Sequence, residues 1–309
     1  MKNYLSKIMT STRSFFIISF LAIGSVLSRD AAPLFVAEPV TEPGLFTGGI
    51  EGPACDRDGN LYAVSFGEKR TIGLVTPDGK AEKWIQLPEG STGNGIRFNQ
   101  AGEMFVADYT GHNILKIDPK TKEVSVFAHE PRMHQPNDIA IGPDGTLYAS
   151  DPDWKNKDGA LWRISDKGTV TLLADDKGTT NGIEVSPDGK TLYVAESRQH
   201  RVLAYDLSAD GIANERVIIE FKDHNLDGMR CDVDGNLYIT RHGAGLVLKL
   251  SPTGEVLRSI KLPGSMPSNL CFGGPDGKVV YVTEAEKGQV LRFRVDRPGL
   301  SWRRWQEAP

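Results

Sequence analysis

Six oxygen-bearing residues recur along this chain at a nearly constant interval. Glu51, Asn94, Asn137, Asn181, Asp227 and Asn269 stand 42 to 46 residues apart, and each is followed eight residues later by a glycine: Gly59, Gly102, Gly145, Gly189, Gly235 and Gly277. Two carboxylates and four carboxamides, without His or Cys, form a donor set for a hard divalent cation such as Ca2+, which accepts carboxylate, amide and water oxygens in flexible geometry. Zn2+ is disfavoured, because its sites draw on imidazole and thiolate. The competing reading is local: Asn and Asp at strand starts bond their own backbone and shape turns. Six such residues sharing one face favour the cation.

The elements that must hold these residues can be read from the same repeat. Each polar start opens an apolar-alternating stretch such as Asn181-Gly182-Ile183-Glu184-Val185, and an Asp/Gly turn such as Pro143-Asp144-Gly145 follows. A second strand carries Leu61-Tyr62, Met104-Phe105, Leu147-Tyr148, Leu192-Tyr193, Leu237-Tyr238 and Val280-Tyr281. A third recurs as Asn113 to Ile117, Arg201 to Tyr205 and their counterparts, and apolar runs such as Val124 to Phe127 fall where a fourth belongs. Four strands per unit of ~40–45 residues, with no helical stretch between, predict an all-β, six-bladed propeller with four antiparallel strands per blade over residues 49–309. The first strand of each blade then lines the central channel, and the six starts ring one mouth. The tail, Ser301 to Trp305, is a candidate for the outer strand of the last blade, and whether the segment around Leu34-Phe35-Val36 also helps close the ring is left open.

A second, wider ring follows from antiparallel pairing, since the second strand returns to the face where the first began. Its residues are Ser65, Asp108, Asp151, Glu196, Arg241 and Glu284. Arg241, the one cation among them, either recognises a polar substrate or pairs with a neighbouring acid. Loops beyond this ring bring Tyr109, His112, Asp153, Trp154, Arg198, His200 and His242 within reach of a ligand, none with motif support.

The first 28 residues differ in kind. Lys2, Lys7 and Arg13 precede an apolar run from Phe15 to Leu27, short of the ~20 residues that span a bilayer. They read as a signal peptide cleaved before Arg29, with an uncleaved anchor as the alternative, and residues 29–48 as a lead-in segment. The chain is therefore expected to be exported, to the periplasm or the medium, with no stable membrane association after cleavage. A net charge of −4 with no basic block argues against a nucleic-acid partner. Cys55, Cys231 and Cys271 are odd in number, cannot all pair within one chain, and fall on apolar strand positions. They read as buried small hydrophobes.

Glu51-Gly52-Pro53, Pro136-Asn137-Asp138, Asn181-Gly182-Ile183 with Ser186-Pro187-Asp188-Gly189, and Leu226-Asp227-Gly228-Met229 resemble the family of gluconolactonase, senescence marker protein (regucalcin) and luciferin-regenerating enzyme. The resemblance covers all six repeats, Ile50 to Val295, through the order and spacing of its motifs. It implies one divalent ion, usually Ca2+, held by Glu51, Asn181 and Asp227. Asn137 matches a position that contacts substrate in some relatives and metal in others, and family members typically open lactones. Two positions depart from the pattern. Gln135 stands where some sugar-lactone relatives carry Arg, which weakens the case for an aldonolactone, and Leu226 stands where Pro is common.

The expected activity is thus metal-dependent opening of a lactone, sugar lactones among the candidates, at the channel mouth. Asp227 is the candidate catalytic base, and Asn137, Arg241 and Asp151 are the candidate substrate-binding residues. The small-molecule lactone is the expected partner, and oligomeric state is left open. A phosphotriesterase-like hydrolase using the same ion, or a non-catalytic propeller binding a small ligand or a protein, remain alternatives.

Overall fold

A computed structural model describes residues 33–307. The signal-peptide reading lies outside the described residues. Six four-stranded antiparallel sheets follow one another along the chain, and their first strands touch in cyclic order, the last returning to the first. These first strands are Phe46–Cys55, Gly93–Phe98, Ile139–Ile141, Thr180–Val185, Asn225–Cys231 and Pro267–Gly273. This is the predicted six-bladed propeller.

The recurrent glycine has a plain physical origin. Gly59, Gly102, Gly145, Gly189, Gly235 and Gly277 all adopt φ between 68° and 84°, the left-handed region open to a residue without Cβ. Each closes the turn into the second strand. A side chain of the turn completes it, as where Asp56 Oδ1 accepts from the backbone N–H of Asp58 (3.0 Å) and Asn60 (2.9 Å). The core lies between blades rather than in one central mass. Tyr62, Trp84 and Phe98, for example, pack edge to face between blades 1 and 2.

The last blade departs from expectation. Its three strands Pro267–Gly273, Val279–Glu284 and Gln289–Arg294 are completed by Glu38–Pro39 from the lead-in, which pairs with Leu291 and Arg292. Val40 N–H donates to Val290 O (2.8 Å), and Arg292 Nε donates to Glu38 Oε1 (2.8 Å). With the outer position taken, the tail forms a helix, Leu300–Gln306, and not a strand. The helix lies across the channel end opposite the polar starts. Leu300 is buried there, Trp305 stacks edge on against Phe98, and Trp305 Nε1 donates to Asn99 O (3.2 Å).

Candidate metal centre and active site

Local backbone irregularity turns the polar starts toward the axis. The first-to-second strand register shifts between Gly93 and Ile96, Thr180 and Ile183, Leu226 and Met229, and Pro267 and Leu270, with shifts on both sides of Glu51. Asn94, Asn181, Asp227 and Asn269 sit inside these bulges. An extra residue in a bulge leaves the ladder, and its side chain is re-aimed. In blade 3 the strand begins only after Asn137, whose N–H donates to Ser150 O (2.9 Å).

A second device draws the ring tight. In four repeats the residue after the start is glycine, and its backbone meets the start of the next blade. A Cβ on Gly52 would lie 1.8 Å from Asn94 O, and one on Gly182 would lie 2.4 Å from Asp227 O. Neighbouring starts approach this closely only because no side chain stands between them.

The ring residues do not behave alike. Glu51 and Asp227, each half-buried, face each other across the mouth. Burial pushes the Glu51 carboxyl up to about 7, opposed by the Gly52 N–H that donates to Oε2 (2.9 Å) and reinforced by the negative charge of Asp138. Asp227 is raised well above the usual carboxylate range, by burial first and by Glu51 second. Two facing carboxyls in a poorly solvated place repel each other as anions, and a cation held between them would relieve that repulsion.

Beside them, the buried Oδ1 atoms of Asn94, Asn137 and Asn181 have no hydrogen-bond partner. Buried amide oxygens are seldom left unpaired, and three around one mouth are acceptors awaiting a positive charge. Asn269 stands apart: its Oδ1 accepts from Leu270 N–H (2.8 Å) and its Nδ2 points to Asp138 Oδ2 (3.4 Å). Among the described residues no three His, Cys, Asp or Glu side chains cluster as a metal site, so carboxamides must complete any ligand set. Glu51, Asp227, Asn137 and Asn181 therefore come together as an oxygen-rich site whose chemistry fits a hard divalent ion. Asn94 joins them with the same free oxygen.

The second ring has a different occupation. Asp151 is fully buried, and its carboxylate accepts from the N–H groups of His134 (2.8 Å) and Gln135 (2.6 Å) and from Trp162 Nε1 (2.9 Å). Asp108 receives Ser91 Oγ, Thr92 N–H and Asn113 Nδ2; Glu196 receives Gly178 N–H; Glu284 receives Met266 and Lys287 N–H. These acids clamp the chain entering each blade to the blade itself. Arg241 pairs with Asp223 (3.0 Å) and lies 3.9 Å over the Phe221 ring, the ion-pair alternative of the two expected for it. Asp151 is thus fully engaged with its own blade, whereas Arg241 keeps its Nε without a hydrogen-bond partner.

On the face of the polar starts, His112, His134, Gln135, Asp153 and Lys155 line a shallow depression beside blade 3. Arg198 sits 5.9 Å over the Trp154 ring.

One residue escaped the repeat argument. Asp138 occupies the position that glycine holds in four other repeats, and places a fully buried carboxylate in the channel below the ring. Arg230 Nη1 donates to its Oδ2 (2.7 Å), and Arg97 Nη1 lies 3.7 Å from its Oδ1. The signal was present as Asn137-Asp138 in place of Asn-Gly.

Residues 49–286 match the family described as SMP-30/Gluconolactonase/LRE-like region. The chain belongs to that family. It is 28% identical over 281 residues to a gluconolactonase of Zymomonas mobilis, covering 79% of this chain and 78% of that one. It is 30% identical over 210 residues to a regucalcin of Danio rerio, covering 64% and 70%. The solved regucalcin of Agrobacterium tumefaciens, described as a calcium-binding protein, superposes with a TM-score of 0.73 at 21% identity over 87% of this chain and 95% of that one.

Proposed function

We propose that this chain is an exported, Ca2+-dependent lactonase working at the channel mouth. The observation that carries the reading is the meeting of two facing carboxyls, Glu51 and Asp227, with the partnerless oxygens of Asn94, Asn137 and Asn181. Membership of a family whose relatives include gluconolactonases supports the reaction type. Export rests on Lys2, Lys7 and Arg13 preceding the apolar run Phe15 to Leu27.

Glu51, Asn181 and Asp227, with Asn137, would hold the ion. Bound there, a divalent cation supplies Lewis-acid polarisation of a carbonyl and compensates negative charge developing on its oxygen. Asp227, as the carboxylate, takes a proton from a water that attacks the lactone carbonyl carbon. The acyl–oxygen bond then breaks, Asp227 returns that proton to the leaving ring oxygen, which departs as a hydroxyl, and the product is the open hydroxy acid. Asn137 orients substrate oxygens, and the depression near His112 and Asp153 receives the part of the substrate outside the ring. No Ser/His/Asp arrangement is needed.

The test is lactone hydrolysis by the mature protein before and after chelation, with Asp227→Ala alongside. Activity that vanishes with chelator, returns with Ca2+ and is absent in the variant sustains the reading. A protein that binds Ca2+ yet opens no lactone retains the site but not the activity, and phosphotriesters or a binding role would take its place.

A further inference from the structure

The end of the channel opposite the polar starts holds a cavity of about 370 Å³, roofed by the C-terminal helix. That volume falls within the roughly 300–1,000 Å³ of small-molecule sites. Ile96, Phe98, Phe272 and Leu300 make part of its wall apolar, while Arg97, Arg230, Arg304 and Glu184 bring charge to it. We propose that this cavity is a second ligand site, for a small monoanionic molecule with an apolar body, such as a carboxylate.

Charge decides the class of ligand. Three guanidinium groups meet two buried carboxylates here. Arg230 and Arg97 share Asp138, and Arg97 Nη2 lies 3.7 Å from Glu184 Oε2. Among these buried groups one positive charge is left over, while the solvent-exposed Asp144 at the rim is screened by water. Asp144 is also engaged with Thr146 of its own turn. A buried guanidinium has five donors in a fixed fork and suits a carboxylate above all. Two such donors make no hydrogen bond: Arg97 Nη1, which lies 3.7 Å from Asp138 Oδ1 on a side chain 9% exposed, and Arg304 Nη2. Arg304 reaches the cavity from the helix, where its Nη1 donates to Ile141 O. One anion would satisfy both orphaned donors and the excess charge, and its hydrocarbon part would lie against the apolar wall.

The chain carries its own reporter. Cys55, Cys231 and Cys271, its three cysteines, all line this cavity as free thiols. Octanoate and its neutral isostere octanamide would be compared as protectants of the folded protein against N-ethylmaleimide, with the melting temperature read in parallel. The expected result is alkylation about ten-fold slower at octanoate concentrations ten times its dissociation constant, with a raised melting temperature, while octanamide does neither. Arg304→Met should abolish the difference between the two, and Arg304→Lys should retain part of it. Equal protection by both compounds would mean an apolar void without anion recognition. Protection by neither, or discrimination unchanged in Arg304→Met, would equally overturn the proposal. If the thiols resist the reagent in the native protein, the melting temperatures alone decide, and a ligand-free chain shows no octanoate-specific rise. The site uses none of the mouth residues, so these outcomes are independent of lactone turnover.

Discussion

Asp227 and Glu51 earn their candidate roles from their surroundings rather than their type. Of the chain's many acids they are the pair that face each other in a poorly solvated mouth, with carboxamide oxygens left over beside them. Asp227→Asn keeps shape and an oxygen but removes the base, and lactone turnover should fall about 100-fold or more, with Ca2+ affinity also reduced. Steady-state rates and calorimetric titration of the same preparation separate the two effects. Below the mouth, Arg230→Met would leave Asp138 buried with only the more distant Arg97, at a cost of about 3 kcal/mol in urea unfolding. Adding Asp138→Leu should recover much of that loss. The recurrent Glu, Asn and Asp were legible in the sequence because a fixed spacing selects them. The occupations of Asp151 and Arg241 were not, because their partners are the His134 and Gln135 N–H groups and Asp223, contributed by loops of no fixed pattern.

At the scale of elements, the site is made by what the strands leave out. Bulges eject the start residues from the ladders, and the glycines that follow let one blade's backbone lie against the next. Gly182→Ala inserts a methyl 2.4 Å from Asp227 O and must push blades 4 and 5 apart at the ligands. We expect Ca2+ affinity to drop about ten-fold or more, measured by titration, with a far smaller change in the blades' own strand content by circular dichroism. The strand repeat and its turn glycine were readable because a period of two and a left-handed φ leave marks on residue choice. The tail's helix was not legible because Ser301-Trp302-Arg303-Arg304-Trp305 is too short to show a period, and its fate depends on Glu38–Pro39 filling the outer position.

For the whole molecule, the raised Glu51 carboxyl at the mouth links stability to pH. Glu51 holds its proton up to about 7 when folded against an ordinary value of 4.5, so between those pH values the folded state binds more protons than the unfolded one. Stability from this group is complete below pH 4.5 and is lost as pH rises through 7. The cation-free protein should therefore melt at progressively lower temperature across that window. Saturating Ca2+, which favours the ionised pair, should widen the gap between bound and free melting temperatures as pH rises. A gap that stays constant with pH would sink the account. The lead-in strand carries a consequence in time. Glu38 is made among the first residues of the described chain, yet its partners Leu291 and Arg292 are more than 250 residues away and made near the last. Until then Glu38–Pro39 has no strand to pair with and the ring is an open arc with an unpacked blade face at each end, so closure should be a late step with which pairing between neighbouring chains competes at high concentration.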